Sequence, residues 1–191
     1  MALISGTMAR RTAPALLIMI VITVSLLAGF SPANPLVWQR EALNEGECWR
    51  LFSAHLVHLN LRHLMMNLLG LWLAKELTCA TLTTTQWLSL WMVSSLGVSL
   101  LLLLLQPQLQ WYAGLSGVLH GLWSGGAAFR WIVERKNIFL LVLLALFIRL
   151  TIGGHVSDEF LVIAEAHWYG AFSGLLWFGW IAVYERRRVF D

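Results

Sequence analysis

Four polar residues lie inside otherwise apolar stretches of the sequence and are its candidates for chemistry: His63, Asn67, Ser116 and His167. A polar side chain in apolar surroundings costs free energy, so each needs a functional or structural reason. A serine becomes a nucleophile when a histidine takes its proton, and the same imidazole can then protonate the leaving group. Ser116 and His167 are therefore a candidate pair for acyl-transfer chemistry.

Small residues indicate how this serine and histidine could meet. They recur every four positions in both stretches: Gly117, Gly121 and Gly125 in one, and Ala166, Gly170 and Gly174 in the other. Such spacing forms a smooth stripe on one helix face, along which two helices can approach closely. Ser116 and His167 each lie one position from a stripe, so we expect them to share a hydrogen bond. The alternative is that the serine is only one more small residue at this helix contact, and that the histidine donates a hydrogen bond to a backbone carbonyl.

His63 and Asn67 are four residues apart and so share one face of a helix. Both side chains can donate hydrogen bonds. Beside an activated serine they could stabilise the negative oxygen of a tetrahedral intermediate, an effect of several kcal/mol for each well-aimed donor. The alternative is a structural role, because membrane asparagines and histidines also hold helices together.

The composition indicates where these residues operate. Of 191 residues, 59% are apolar and 12% are charged, and the mean hydropathy is +0.72, which excludes a soluble domain. Residues 13–30 carry no charge, and about 20 such residues cross a hydrocarbon layer of about 30 Å. We therefore predict an all-α polytopic membrane protein in which residues 1–191 form a single membrane domain.

Apolar runs between charged or turn-forming residues predict six transmembrane helices, at about 13–30, 61–77, 87–105, 112–130, 137–152 and 162–184. If the N-terminus is cytoplasmic, nine of the 13 basic residues fall on the cytoplasmic side, so we predict both termini there. The alternative for the first segment is a cleaved signal peptide. The loop at 31–60 mixes aromatic, histidine and charged residues and is predicted to form a structured interfacial cap.

Depth in the membrane follows from counting along the predicted helices. The second, fourth and sixth segments all begin at the outer face, and Asn67, Ser116 and His167 lie four to six residues into them. At a rise of about 1.5 Å per residue, these side chains are expected about 6–9 Å below the outer boundary. The net charge of +3 is explained by topology signals and contact with the lipid bilayer, so no nucleic-acid partner is predicted.

The run Gly114-Leu115-Ser116-Gly117, the pair His63 and Asn67 on the second segment, and a last-segment His167 followed by Gly170 together resemble the rhomboid intramembrane serine proteases. Glu47-Cys48-Trp49-Arg50 also looks like the tryptophan-arginine segment of the rhomboid first loop. The resemblance covers all six segments. It implies a six-transmembrane-helix rhomboid-like bundle that cleaves membrane-anchored protein substrates near the outer face of the membrane.

The resemblance also implies roles for individual residues. Ser116 is the nucleophile and His167 its general base, in a dyad without a carboxylate. The Ser116 backbone N–H, His63 and Asn67 form the oxyanion site. The residues that support this active site are Gly114, Gly117, His120 and Gly170.

His120 departs from the usual rhomboid sequence at this position and suggests a particular branch of the family. Many rhomboids have an aromatic residue at this position, four after the nucleophile, where it stacks on the catalytic histidine. The run 112–121 looks closest to the rhombosortase branch, whose bacterial substrates are exported proteins ending in Gly-Gly, a hydrophobic helix and a basic cluster. This implies a place in the bacterial cytoplasmic (inner) membrane. His120 shares a helix face with Ser116 and is therefore a second candidate base, although we expect it to pack beneath the His167 ring.

Three other functions compete with this interpretation. His55, His58 and His63 cluster before and within the second segment, but their spacing matches no zinc motif, so no metal and no cofactor are predicted. Intramembrane histidines could relay protons in a small transporter, although no inverted repeat is visible. A non-catalytic rhomboid-like binding protein is the third, and the presence of both Ser116 and His167 argues against it. The sequence leaves the oligomeric state open.

Overall fold

Eight helices and two short strands make up the described part of the chain. The computed structural model describes residues 2–153 and 164–190, with side chains at 12–152 and 164–183. In chain order the elements are α1 (Ala2–Ala28), β1 (Trp38–Gln39), α2 (Arg40–Asn44), α3 (Arg50–Ser53), α4 (Leu61–Thr78), α5 (Thr84–Leu105), β2 (Trp111–Tyr112), α6 (Ser116–Glu134), α7 (Ile138–Gly153) and α8 (Ala164–Phe190).

Local sequence signals fix several of these boundaries. The Asn60 side chain caps α4 by accepting a hydrogen bond of 2.8 Å from the His63 N–H. Thr83 and Gln86 form a reciprocal capping box at the start of α5. Arg135 ends α6 in the left-handed conformation, with φ of 56°. The starts of α4, which carries His63, and of α5 are therefore set by their own sequences.

Helix α6 lies at the centre of the bundle, in contact with α4, α5, α7 and α8. Its glycines allow α8 to approach closely. A Cβ atom on Gly121 would lie 2.8 Å from the Gly170 carbonyl oxygen, and one on Gly125 would lie 2.7 Å from that of Gly174. Real Cβ atoms essentially never come so near another atom. The two small-residue stripes thus form one seam, which brings the first turns of α6 and α8 together.

The loop between α1 and α4 is tied to the segment that leads into α6. Trp38 pairs with Tyr112 and Gln39 with Trp111 in an antiparallel two-stranded sheet. The buried Arg50 side chain holds this loop from within, donating to Glu47 at 2.6 Å and to the Val37 carbonyl at 2.7 Å. The cap therefore has a defined structure that is anchored beside the start of α6.

Apolar side chains cover much of the surface of the bundle as well as filling its core. Large apolar side chains are exposed on α1, α4, α5, α7 and α8, whereas Asn67, Ser94, Ser95, Ser99 and Ser124 are buried. In lipid, apolar side chains face outward at no cost and polar groups find partners inside the bundle. The arrangement fits a polytopic helical membrane bundle.

One helix of the described chain, α5, is long and apolar enough by itself to cross a membrane. Thr12–Ala28 and Ile138–Ile152 are comparably apolar but shorter. The other predicted spans carry polar or seam residues, such as Asn67 and the α6 glycines, which lower their hydropathy.

The observed helices differ from the predicted segments at several of their ends. Helix α6 begins at Ser116 rather than at 112, because Trp111 and Tyr112 are extended and Gly114 has φ of 127°. Helix α1 begins well before residue 13, since hydropathy marks only the apolar part of a helix. The predicted start of the last segment, at 162, lies outside the described residues, and α8 continues past 184.

Candidate active site

Ser116 and His167 face each other across the seam between α6 and α8. The His167 Nε2 atom lies 2.9 Å from the Ser116 Oγ atom, a distance suited to proton transfer. His167 is buried, with 8% of its surface exposed. Ser116 is the first residue of α6, so its depth cannot be counted from residue 112 as the predicted segments assumed. The two side chains meet because Gly117 contacts Ala166 and Gly170 at the seam.

His120 lies one turn further along α6 and stacks on His167. The two rings are 4.3 Å apart between centroids and 17° from parallel. The His120 Nδ1 atom is 2.7 Å from the Ser116 carbonyl oxygen. Because a carbonyl only accepts hydrogen bonds, this nitrogen carries the proton and donates it. His120 therefore holds the backbone of Ser116 and the plane of the His167 ring together.

The dyad has no third member among the described residues. No carboxylate there forms a hydrogen bond with His167, and Glu165 is exposed on another face of α8. Nor do three histidine, cysteine or acidic residues come together as a metal site would require within the described ranges. The two reactive groups that meet here are the Ser116 hydroxyl and the His167 imidazole.

His63 packs directly on the loop that precedes Ser116. A Cβ atom on Gly114 would lie 2.6 Å from the His63 Cε1 atom and 2.9 Å from its Nε2 atom. The φ of 127° at Gly114 is also a conformation that residues with side chains rarely adopt. Gly114 is thus required both for the backbone turn and for the close approach of the imidazole.

Asn67 is buried on the same face of α4 as His63. Its amide donates a hydrogen bond of 3.1 Å to the His63 carbonyl. Within the described part of the chain, no hydrogen bond joins either residue to Ser116. Catalytic hydrogen bonds often tighten only when substrate is bound. The lack of a hydrogen bond to Ser116 in the structure without substrate therefore agrees with an oxyanion role as well as with a structural one.

The two loop histidines that sequence reasoning weighed as metal ligands are held by hydrogen bonds instead. The His55 Nε2 atom lies 3.0 Å from the Ser95 carbonyl oxygen, and the His58 Nδ1 atom lies 2.9 Å from the Ser25 Oγ atom. Burial lowers the pKa of His55 to about 4 and that of His58 to about 3. Both are therefore neutral at pH 7 and join the loop to α5 and α1.

A cavity of about 200 Å³ opens beside His120, between α4, α6 and α7. Its lining residues are Gly70, Leu119, His120, Trp123, Leu146 and Arg149. The walls are mostly apolar, with one imidazole and one guanidinium among them.

Sequence reasoning did not single out Tyr112, and it weighed His55 only as a metal ligand, but both residues lie beside the loop that precedes Ser116. The Tyr112 hydroxyl donates to the Gly114 carbonyl at 2.9 Å, and the His55 ring packs edge-on against the Tyr112 ring at 5.8 Å. The sequence signal that could have indicated Tyr112 was a hydroxyl-bearing residue four positions before Ser116.

A half-buried serine and a buried histidine face each other on two helices of an apolar bundle. The Rhomboid domain family matches residues 45–185, and the chain belongs to that family. A comparison with curated proteins finds no match. Rhomboid proteins are in general intramembrane serine proteases that act on membrane-embedded protein substrates, and the chain is accordingly a membrane protein. The family prediction is confirmed, while the rhombosortase branch stays a prediction.

Proposed function

We propose that this chain is an intramembrane serine endopeptidase that uses Ser116 as nucleophile and His167 as general base. The observation that carries the proposal is the 2.9 Å contact between the Ser116 Oγ and His167 Nε2 atoms. The imidazole takes the hydroxyl proton as Oγ attacks the substrate carbonyl, and then gives it to the leaving amine. A water molecule, activated by the same imidazole, releases the acyl group from Ser116.

The oxyanion of this reaction is stabilised at the start of α6. The first N–H groups of a helix have no partner within it, and they form the positive end of the helix dipole. The Ser116 N–H is the first of these. His63 and Asn67 supply two further donors, supported by the contact of the His63 ring with Gly114 and by the burial of Asn67.

We expect replacement of His63 or Asn67 by alanine to lower kcat about 10- to 100-fold with little change in KM, because oxyanion donors act chiefly in the transition state. Steady-state kinetics on purified protein measure this split. Asn137→Ala is the matched control, since Asn137 is exposed beyond the far end of α6. A fall in thermal midpoint with normal activity per folded molecule would instead give both residues a structural role.

The proposed substrates are exported proteins with a C-terminal Gly-Gly, a hydrophobic helix and a basic cluster, cut near the outer face of the membrane. Support for this rhombosortase assignment comes from His120, which stacks on His167 where many rhomboids use an aromatic residue. Glycine is a weak helix former, so a Gly-Gly pair ahead of a membrane helix leaves the backbone open to attack. The proposal includes six transmembrane helices, cytoplasmic termini and the bacterial inner membrane.

A reporter substrate tests this assignment. Purified protein is mixed in detergent with a soluble domain fused to Gly-Gly, an apolar helix and a basic cluster, and the products are identified by mass spectrometry. We expect cleavage next to the Gly-Gly pair, and at least about tenfold slower cleavage when the pair is replaced by Leu-Leu. Equal cleavage of both reporters would contradict the branch while leaving the enzyme class intact.

A small transporter and a non-catalytic binding protein remain the alternative functions. Neither requires the serine hydroxyl to lie within proton-transfer distance of an imidazole. The cleavage of any reporter that depends on Ser116 would exclude both of them.

A further inference from the structure

We propose that Tyr112 is a positioning residue for the nucleophile: its hydroxyl fixes the Gly114 carbonyl and so the backbone that carries Ser116. The inference rests on the proposed protease function and adds to it a residue outside the dyad and the oxyanion donors. Tyr112 lies in β2, with 4% of its surface exposed. It acts through the backbone and does not itself react with substrate.

One hydroxyl group contacts the chain on both sides of Ser116. On one side it donates to the Gly114 carbonyl at 2.9 Å. On the other its oxygen lies so close to Gly117 that a Cβ atom there would be 3.2 Å away. The loop before Ser116 and the first turn of α6 are therefore joined through Tyr112.

Two other hydrogen bonds hold the backbone here, from the Gly114 N–H to the Ala54 carbonyl at 2.9 Å and from His120 to the Ser116 carbonyl, and neither fixes the Gly114 carbonyl. Gly114 has no side chain, and its φ of 127° belongs to a region that is accessible mainly to glycine. The N-cap residue of α6 is Leu115, which provides no side-chain cap. Serine, threonine, aspartate or asparagine would normally supply that hydrogen bond. The Tyr112 hydroxyl instead holds the carbonyl that immediately precedes this N-cap residue.

His55 is the other polar group beside the Gly114 carbonyl, and it does not replace Tyr112. Its Nδ1 atom is 3.3 Å from that oxygen, while its Nε2 atom is 3.0 Å from the Ser95 carbonyl oxygen. Because burial keeps His55 neutral, only one ring nitrogen carries a proton, and the shorter contact takes it. The Ser99 hydroxyl donates its own proton to the Leu51 carbonyl, so it does not donate to His55 and leaves this proton assignment unchanged.

Loss of the Tyr112 hydroxyl removes the shortest hydrogen bond to the Gly114 carbonyl, so the Gly114–Leu115 peptide is held less firmly. The Ser116 N–H, the proposed oxyanion donor, then points less accurately at the developing charge. Such misalignment affects the transition state more than the bound substrate. Loss of the hydroxyl is therefore expected to lower kcat without changing KM.

The test compares Tyr112→Phe with Tyr169→Phe in the full-length protein, using kinetics on the reporter and thermal unfolding. Tyr169 packs against the same apolar cluster, but its hydroxyl accepts a hydrogen bond of 2.9 Å from Gln106 instead. We expect Tyr112→Phe to lower kcat about tenfold, with KM and the thermal midpoint close to wild type. Tyr169→Phe should keep wild-type kinetics.

Three results would overturn the inference: an unchanged kcat in Tyr112→Phe, a raised KM with normal kcat, or a loss of activity that only follows the loss of folded protein. The wild-type protein separates this inference from the proposed function. If the wild type does not cleave, the protease proposal fails. If it cleaves and Tyr112→Phe equals it, only the role of Tyr112 fails.

Discussion

Replacing Ser116 by alanine is expected to reduce proteolysis by about four orders of magnitude or more, because removing the nucleophile leaves only binding and electrostatic effects. The substitution is small, and Ser116 is half-buried at the first position of α6, so the fold should be retained. Cleavage of the Gly-Gly reporter by purified protein measures the effect.

Ser124→Ala is the matched control for this experiment. Ser124 lies on the same helix and donates a hydrogen bond of 2.8 Å to the Ala171 carbonyl. Loss of this hydrogen bond is expected to lower the free energy of unfolding by about 1 kcal/mol and to leave the rate of cleavage unchanged. If purified Ser116→Ala protein still cleaves at a wild-type rate, the serine-protease account is wrong.

The second large effect distinguishes the two stacked histidines. His167→Phe should abolish cleavage, because it removes the nitrogen that lies 2.9 Å from Ser116 Oγ. His120→Phe should keep activity within about tenfold of wild type, since phenylalanine preserves the ring stack and loses one hydrogen bond to the Ser116 carbonyl. Parallel kinetic measurements of the two variants test the assignment.

The opposite result would reassign the base. If His120→Phe is folded but inactive while His167→Phe is active, His120 is the residue that takes the serine proton. Circular dichroism and thermal unfolding of both variants exclude misfolding as the cause. The enzyme class would survive such a result, but the proposed dyad would not.

The contact between Ser116 and His167 was predictable because its cause is visible in the sequence. Small residues at four-residue spacing appear on both helices, and close backbone approach follows from the missing side chains. The position of His120 under the His167 ring also follows from four-residue spacing on one helix. These are local rules, which one sequence contains in full.

The start of α6 was mispredicted because an apolar sequence does not distinguish an extended segment from a helix. Trp111 and Tyr112 are as apolar as the helix that follows, and they become strand residues through pairing with Trp38 and Gln39. That partner lies more than 70 positions earlier in the chain. Pairing over such a distance leaves no local trace in a single sequence.

The hydrogen bonds of Tyr112 and His55 to the loop before Ser116 were not predicted, for a similar reason. Their partners are backbone carbonyls, and any residue type supplies a carbonyl. The sequence therefore records a donor without recording what it binds. By contrast, Gly114 was identified as a site residue, and the conformation that requires it became clear only from its φ and its contact with His63.

The most direct measurement of the central claim is covalent labelling of the purified wild-type protein in detergent with a serine-reactive fluorophosphonate. Digestion and mass spectrometry then locate the adduct. The account predicts one adduct per chain, on Ser116, and none in Ser116→Ala or His167→Phe. An adduct on a different residue, or no adduct in a preparation that cleaves the reporter, would contradict the assignment of Ser116 as the nucleophile.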